Sequence, residues 1–370
     1  MKPASSRVNS LDAFRGLTIA GMILVNNPGN WNAVFAPLAH AEWNGCTFAD
    51  LVFPWFLFIL GVAMPLAFAR RTSRGDSKRQ LYGRIVRRTA ILIGLGLALN
   101  VMAAWPVVSA LRIPGVLQRI GLVYLATALI VLHAPPRSRG AILAVVLLGH
   151  WWLLEGQWVR ARGYDLTPGH NVAAVVDRTL LGSHLLSATG DPEGLLGTLP
   201  ATATALAGTI VGEWFLVRRT QLMARLVGLG ASLMVVGYAW STVLPLNKSL
   251  WTGSYALLAS GGAALGLAAF HAVLDQGRKP GWTQPLLWLG ANPLAIYFAS
   301  EIVRQVLDRP ILGSAGHVTL ASWLFWNIAR TLVPGNLDER WVALAFGLLA
   351  VATWTAFAGL LYKRQVRIRV

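Results

Sequence analysis

The feature that most constrains this chain is a series of apolar runs, each about as long as a bilayer is thick. A transmembrane helix needs about 20 mostly apolar residues, because in lipid its backbone must satisfy its own hydrogen bonds. Ten such runs predict an all-α integral membrane protein with about ten transmembrane helices. The predicted spans are Leu11–Asn27, Phe48–Ala69, Thr89–Trp105, Ile113–Ala134, Gly140–Leu154, Gly194–Val217, Leu222–Leu244, Thr252–Leu274, Gln284–Ser300 and Trp341–Tyr362.

An eleventh run, Val318–Val333, is rich in Trp and Phe but is short and contains Asn327 and Arg330. It predicts an interfacial or re-entrant helix near 318–333 rather than a span. We find no internal repeat, low-complexity tract or break in composition along the chain. Residues 1–370 are therefore predicted to form a single transmembrane domain.

The composition favours a membrane protein and excludes several soluble classes. Hydrophobic residues make up 55% of the chain and charged residues 13%, whereas soluble domains are about 25% charged. The single cysteine, Cys46, excludes an intramolecular disulfide and a cysteine-based zinc site. The histidines do not cluster at metal-ligand spacing, so no metal site is predicted.

The net charge of +17 would suggest nucleic-acid binding in a soluble protein. Here the basic residues lie mostly in alternate loops between the apolar runs, so we expect the charge to record membrane topology rather than a nucleic-acid partner. The positive-inside rule then places both termini in the cytoplasm. An eleventh span would move the basic tail, residues 363–369, to the opposite side.

A polar, irregular stretch separates the first two predicted spans. Between Val25 and Asp50 it holds five Asn, one His, one Glu and one Asp. Irregular backbone at membrane depth is tolerated only where it lines a cavity or is buried in protein. His40 can exchange a proton near neutral pH, and either Glu42 or Asp50 could orient it. The alternative is a structural His40 that is hydrogen-bonded to backbone.

Further polar residues lie at the ends of later spans, and each has a structural alternative. Asp191 and Glu193 precede the sixth span, where they either favour the helix dipole or bind a cationic substrate amine. Gln118 and Arg119 either line a polar cavity or bond to neighbouring helices. The other candidate substrate-binding residues are Asn247 and Lys248 at the mouth of the eighth span, and Asn292 within the ninth.

The loop after the second span is strongly basic, with eight Lys and Arg residues in the segment RRTSRGDSKRQLYGRIVRR. We favour a topogenic role in which this loop binds the anionic headgroups of membrane lipids. The alternative is a site for a polyanionic cytosolic cofactor.

Six segments stand in a fixed order along nearly the whole chain: SLDAFRGLTIAGMILVNNPGNW, HAEWNGCTFADLVFPWFLFILG, RIPGVLQRIGLVY, DPEGLLGTLPA, LPLNKSLWTGSY and LGANPLAIYF. Together they resemble the transmembrane acetyltransferases of the heparan-α-glucosaminide N-acetyltransferase family, in particular its short bacterial members. Six motifs in one order are a more specific signal than any one of them.

The resemblance implies that an acetyl group passes from cytosolic acetyl-CoA to the amine of a glucosamine-like amino sugar on the periplasmic side of a bacterial inner membrane. It makes His40, in the HAxWNG motif, the active-site His, and Asn26 or Asn27 the Asn that supports it. His40 would act as a general base or accept the acetyl group transiently, and Asn26 would donate to the oxyanion. A homodimer follows by analogy alone. The candidate partners of the CoA phosphates, by location, are Arg70, Arg71, Arg84, Arg87, Arg88, Arg218 and Arg219.

Two other functions fit the same sequence features. A transporter of amino sugars or oligosaccharides would also place polar residues near mid-membrane, although no internal repeat is visible. An O-acyltransferase of cell-envelope polysaccharide would share the LDxxRG-like first helix and a membrane His. Bound CoA separates an acetyltransferase from a transporter, and an amine or hydroxyl acceptor separates the two kinds of acyltransferase.

Overall fold

The computed structural model describes residues 8–217, 221–277, 280–310, 319–332 and 338–368, and it consists of helices joined by loops. The α-helices in these ranges are α1 (Asn9–Asn26), α2 (Phe48–Thr72), α3 (Lys78–Ala104), α4 (Val116–His133), α5 (Arg139–Glu155), α6 (Gln157–Arg160), α7 (Val172–Leu181), α8 (Thr198–Val217), α9 (Leu222–Trp240), α10 (Gly253–His271), α11 (Gln284–Ala291), α12 (Pro293–Leu307), α13 (Leu320–Leu324), α14 (Arg330–Leu332) and α15 (Glu339–Lys363).

Within the described ranges, eight helical segments are long and apolar enough to cross a bilayer, or nine if one bent pair counts as a span. The chain is therefore an all-α integral membrane protein, as its sequence predicts. The segments are Phe48–Thr72, Lys78–Ala104, Val116–His133, Pro136–Arg160, Thr198–Val217, Leu222–Trp240, Gly253–Gln276 and Glu339–Lys363, with the bent pair Gly281–Ala291 and Pro293–Leu307.

The first and ninth predicted spans are not among these eight segments. The first corresponds to α1, which is not among the eight apolar segments and carries an ion pair between Asp12 and Arg15 at 3.1 Å. The ninth is bent by 79° between α11 and α12. Pro293, directly after the break, explains it. Proline lacks an N–H for the helical hydrogen bonds and disfavours a helical conformation at the residue before it, here Asn292.

The run predicted to be interfacial, Val318–Val333, has both of its end residues outside the described ranges. Its described part consists of α13, one π-helical turn at Phe325–Ala329, and α14. Each of these pieces is shorter than the about 20 residues that a span requires.

Internal packing divides the chain into two compact units. The first unit comprises the residues up to His40, Thr47–Phe53 and the chain from Gly266 onward, and the second comprises Ala41–Cys46 and Pro54–Leu265. In the first unit, α1 packs against α11 and α15. In the second, α4 and α5 both pack against α8, and α3 packs against α4.

Within each unit, glycines let the backbones of neighbouring helices come into direct contact. In the first unit, a Cβ on Gly290 of α11 would lie 1.9 Å from the backbone oxygen of Asp12 in α1. In the second, a Cβ on Gly208 of α8 would lie 2.0 Å from the backbone oxygen of Phe58 in α2. Such close approach through small residues is typical of helix packing in membranes.

Replacing Gly208 with alanine should therefore destabilise the second unit. The new Cβ meets rigid backbone rather than a movable side chain, so we expect a loss of about 1–3 kcal/mol or more, measured as a lower thermal unfolding midpoint in detergent. Gly149→Ala in α5 is the matched control, because nothing lies within 4 Å of its Cβ position and alanine favours a helix. Equal midpoints for the two variants would contradict the close contact.

Candidate functional site

His40 and Asp50 form a hydrogen-bonded pair in the first unit. The Nδ1 atom of His40 lies 2.8 Å from Oδ1 of Asp50. The Asp50 side chain is 1% exposed, whereas that of His40 is 41% exposed. Because an ionised carboxylate only accepts hydrogen bonds, the pair holds the proton on Nδ1 and leaves the basic lone pair on Nε2.

The beginning of α2 holds Asp50 in place. Its other oxygen, Oδ2, accepts from the backbone N–H of Thr47 at 3.1 Å. The Thr47 hydroxyl lies 3.1 Å from the same oxygen and 2.7 Å from the backbone oxygen of Ala39. An acidic side chain in the first turn of a helix is also favoured by the helix dipole. Helix α2 therefore fixes the carboxylate that orients His40.

Of the two carboxylates that the sequence offers for orienting His40, Asp50 makes the contact. Glu42 instead lines a cavity of the second unit. His40 thus has the side-chain geometry of a base oriented by an acid, rather than only a bond to backbone.

Asn26 is the last residue of α1, and its amide faces a charged pair on α12. Its Nδ2 donates to Oε1 of Glu301 at 2.9 Å, and the other oxygen of Glu301 accepts from Arg304 at 2.8 Å. Asn27 instead donates to the backbone oxygen of Ile23 at 2.7 Å and so closes its own helix. Of the two Asn side chains, only Asn26 is oriented by an acidic residue of another helix.

In the second unit, Asp191 and Glu193 bind one arginine. Arg112 donates through Nε and Nη2 to the two oxygens of Asp191, at 2.8 and 2.5 Å, and Nη2 also reaches Glu193 at 2.5 Å. Burial acts to raise the pKa of Asp191, but the hydrogen bonds and charge of Arg112 outweigh it, so the pKa of Asp191 is lowered. Both acids thus neutralise Arg112 and fix the loop before α8.

A cavity of about 270 Å³ lies beside this ion cluster, entirely within the second unit. We call it the loop cavity and define it by Glu42, Trp43, Asn171, Asp177, Asp191 and Leu250. Burial raises the pKa of Asp177, and the neighbouring charge of Asp191 adds to that effect. Oδ1 of Asp177 accepts from the backbone N–H of Leu195 at 2.8 Å.

Asn247 and Asn292, both predicted to bind substrate, are buried and hold backbone segments of the chain. Asn247 donates to the Asn44 side chain at 3.2 Å and accepts from the Leu250 N–H at 2.8 Å. Lys248 lies next to it in the same loop. Asn292, at the break between α11 and α12, exchanges two 2.9 Å hydrogen bonds with the backbone of the C-terminal tail at Val366 and Ile368.

Gln118 and Arg119 also bond to backbone. Gln118 donates to the Ile113 oxygen at 3.0 Å. The buried Arg119 donates to the Gly194 oxygen at 2.9 Å and lies over the Trp251 ring at 5.2 Å. Among the described residues, Nε and Nη1 of Arg119 have no hydrogen-bond partner.

The basic residues predicted for CoA gather where α2 ends and α3 begins. Arg71 and Arg84 both approach Asp76 in the intervening turn, at 3.6 and 3.4 Å. Arg88 lies over the Tyr124 ring at 4.6 Å, and its buried Nε has no partner among the described residues. These features suit a polyanion, since one acid balances several guanidinium groups. Arg70 lies in the last turn of α2 and Arg87 belongs to α3, whereas Arg218 and Arg219 lie outside the described residues.

The sequence of this chain matches a known protein family. A family model described as heparan-alpha-glucosaminide N-acetyltransferase, catalytic, matches residues 7–239. The chain belongs to this family. It is 31% identical to the human heparan-alpha-glucosaminide N-acetyltransferase over 97% of its own length and 59% of the human protein. It is 27% identical to the mouse protein of that name, over 99% of this chain and 61% of the relative.

The chain thus spans about three fifths of the length of these N-acetyltransferase relatives. The matched region includes His40, Asp50, the loop cavity as far as Asp191, and the basic start of α3. Asn247, Asn292 and Glu301 follow that region in the chain.

Two side chains of this N-acetyltransferase family member have no role that the sequence predicts. Asp177 lies in a short helix of a long loop, where no motif marks it, and only the fold brings it to a cavity. Glu301 lies at the end of a predicted span, and the contact that distinguishes it joins residues 275 positions apart. The Thr47-x-x-Asp50 spacing, by contrast, is a recognisable signal for the start of a helix.

Asp191→Asn should destabilise the second unit. Removing one acid leaves the Arg112 guanidinium with less compensation, and breaking such a buried pair costs about 3 kcal/mol. The stability that Asp191 contributes is present above its ordinary pKa of 3.8, because its folded pKa is lowered. The difference from wild type should therefore persist near pH 5 and shrink as the pH falls below 3.8.

The measurement is the unfolding midpoint in detergent across this pH range. Asp308→Asn is the control, because the Asp308 side chain is 45% exposed and surface ion pairs contribute about 0–1 kcal/mol. Equal midpoints for both variants at about pH 5 would contradict the structural role of Asp191.

Proposed function

We propose that this protein is a transmembrane acetyltransferase that moves an acetyl group from cytosolic acetyl-CoA to the amine of an amino sugar on the opposite side of a bacterial inner membrane. Membership of the family supports acetyl transfer over transport and over O-acylation. The observation that carries the proposal is the 2.8 Å pair of His40 and Asp50 in the HAEWNG segment.

In the proposed reaction, Nε2 of His40 takes a proton from the attacking amine. The amine nitrogen forms a bond to the thioester carbonyl carbon, the carbon–sulfur bond breaks, and CoA leaves as its thiol after accepting a proton from the imidazolium. Asp50 keeps Nδ1 protonated and stabilises the imidazolium charge while it lasts. The same pair would also activate Nε2 as a nucleophile if an acetyl-His intermediate forms.

Asn26 is the proposed donor to the oxyanion. A carboxamide carries two N–H donors, and the bond to Glu301 engages one of them. Arg304 in turn holds Glu301 through two N–H groups. A donor fixed in advance stabilises developing negative charge without reorganisation, which is the main advantage of an oxyanion hole.

The basic ends of α2 and α3 are the proposed partners of the CoA phosphates. The proposed phosphate partners that the structure describes are Arg70, Arg71, Arg84, Arg87 and Arg88. Two further candidates, Arg218 and Arg219, lie outside the described residues. Guanidinium groups bind phosphate through paired N–H donors and remain charged at all relevant pH values.

His40→Ala should abolish acetyl transfer while acetyl-CoA binding is retained. Loss of a general base lowers the rate by about 10²–10⁴-fold, and Asp50 keeps its bonds to Thr47 at the start of α2. We would measure acetyl-glucosamine formation by mass spectrometry and acetyl-CoA binding by calorimetry. His170→Ala, an exposed loop His, is the matched control. Turnover within about tenfold of wild type would remove His40 from the chemistry.

Arg84→Gln combined with Arg87→Gln should raise the KM for acetyl-CoA. Each hydrogen bond between charged groups contributes about 1.5–3 kcal/mol, so the double variant should need at least about tenfold more acetyl-CoA. The kcat and the KM for glucosamine should not change. Arg137→Gln, an exposed arginine outside this cluster, is the control, and an unchanged KM in the double variant would leave these residues with a topogenic role alone.

A further inference from the structure

The loop cavity has the chemical character of a carbohydrate site. Its volume of about 270 Å³ is close to the lower end of ligand pockets, about 300 Å³, which suits one sugar ring rather than a chain. Carboxylates, an amide, hydroxyls and one indole line it together. The polar and aromatic lining includes Glu42, Trp43, Asn171, Asp177, Thr189 and Ser249.

Two of the carboxylates at this cavity have no ion-pair partner among the described residues, namely Glu42 and Asp177. Asp191 also lines it, but both of its oxygens bind Arg112. Asp177 is buried, at 2% exposure. The positive charge of Arg119 attracts the Asp177 carboxylate, although the two side chains do not form an ion pair. Burial outweighs this attraction, so the pKa of Asp177 is raised. Burying a carboxylate without a paired counter-ion is costly, and a cationic ligand in the cavity would remove that cost.

Trp43 adds a surface that suits the same ligand. Its Nε1 donates to the backbone oxygen of Leu166 at 2.9 Å, which fixes the indole. An indole face attracts cations as well as apolar groups. Glu42 and Trp43 belong to the same HAEWNG segment as His40.

We propose that the loop cavity binds the protonated amino-sugar ring of the acceptor, with Asp177 and Glu42 as its anionic partners, and that it discriminates this substrate from its acetylated product by charge. The proposal rests on the proposed acetyltransferase function. Acetylation converts the ammonium to a neutral amide: the C–N bond forms, the thioester C–S bond breaks, CoA leaves as a thiol and one proton is released. The product then lacks the charge that Asp177 and Glu42 attract, so acetylation promotes its release.

The test compares ligand binding to the full chain by calorimetry in detergent. The wild type should bind glucosamine at least tenfold more tightly than N-acetylglucosamine or glucose. Asp177→Asn should weaken glucosamine binding at least tenfold and abolish most of that preference, because an amide can still accept from Leu195 but carries no charge. Asp165→Asn is the matched control, since Asp165 is an exposed acid of the same loop. Its side chain accepts a hydrogen bond from the backbone N–H of Thr167 at 2.8 Å, and the side-chain oxygen of asparagine can accept the same bond.

Kinetics give an independent measurement of the same site. In Asp177→Asn, the KM for glucosamine should rise at least tenfold while the KM for acetyl-CoA stays unchanged. Glu42→Gln should act in the same direction, and it serves as the second variant if Asp177→Asn fails to fold, since Glu42 has no hydrogen bond among the described residues to lose.

The outcomes separate this proposal from the proposed function. Equal binding of glucosamine and N-acetylglucosamine to the wild type would overturn the cavity proposal whatever the variants do. Acetyl transfer with a glucosamine KM that is insensitive to both substitutions would also overturn it and leave the function intact. Charge-dependent glucosamine binding that depends on Asp177, without any acetyl transfer, would support the cavity and overturn the proposed function.

Discussion

The carboxylate of Asp50 connects the start of α2 to the orientation of His40. One oxygen accepts from the Thr47 N–H, and the other lies 2.8 Å from the imidazole. A buried carboxylate is stable only when hydrogen bonds and nearby positive potential compensate its charge, and the helix N-terminus supplies both. The same interactions that begin α2 therefore set the tautomer of His40.

Other buried charges of the described chain are mostly neutralised nearby. Arg112 binds Asp191 and Glu193, Arg139 binds Glu213 at 2.8 Å, and Arg304 binds Glu301. This follows from the high cost of an isolated charge in a low-dielectric interior. Asp177 and Arg119 both depart from this pattern within the described residues, and Asp177 does so at a cavity. That departure is the reason for proposing Asp177, rather than the acids of the ion pairs, as a partner of a cationic ligand.

Breaks and close contacts between helices complete the framework. Asn292 lies at the break between α11 and α12, and its side-chain amide forms hydrogen bonds with the backbone of the C-terminal tail. Gly208 and Gly290 allow direct contact between backbones in their respective units. In lipid, close packing and internal hydrogen bonds must replace the hydrophobic effect as the force between helices. Small residues at helix contacts and hydrogen-bonded helix breaks therefore determine how each unit packs.

Local patterns in the amino-acid sequence suffice to predict the all-α membrane class, the positions of nearly all the long helices and the family resemblance, because apolar runs and ordered motifs are local in the chain. The sequence also offered His40 with two candidate acids. Only the tertiary structure selected Asp50 over Glu42, paired Asn26 with Glu301, and turned Asp191, Asn247 and Asn292 toward structural contacts. These outcomes depend on contacts between residues far apart in sequence, whose distances and burial no local pattern encodes.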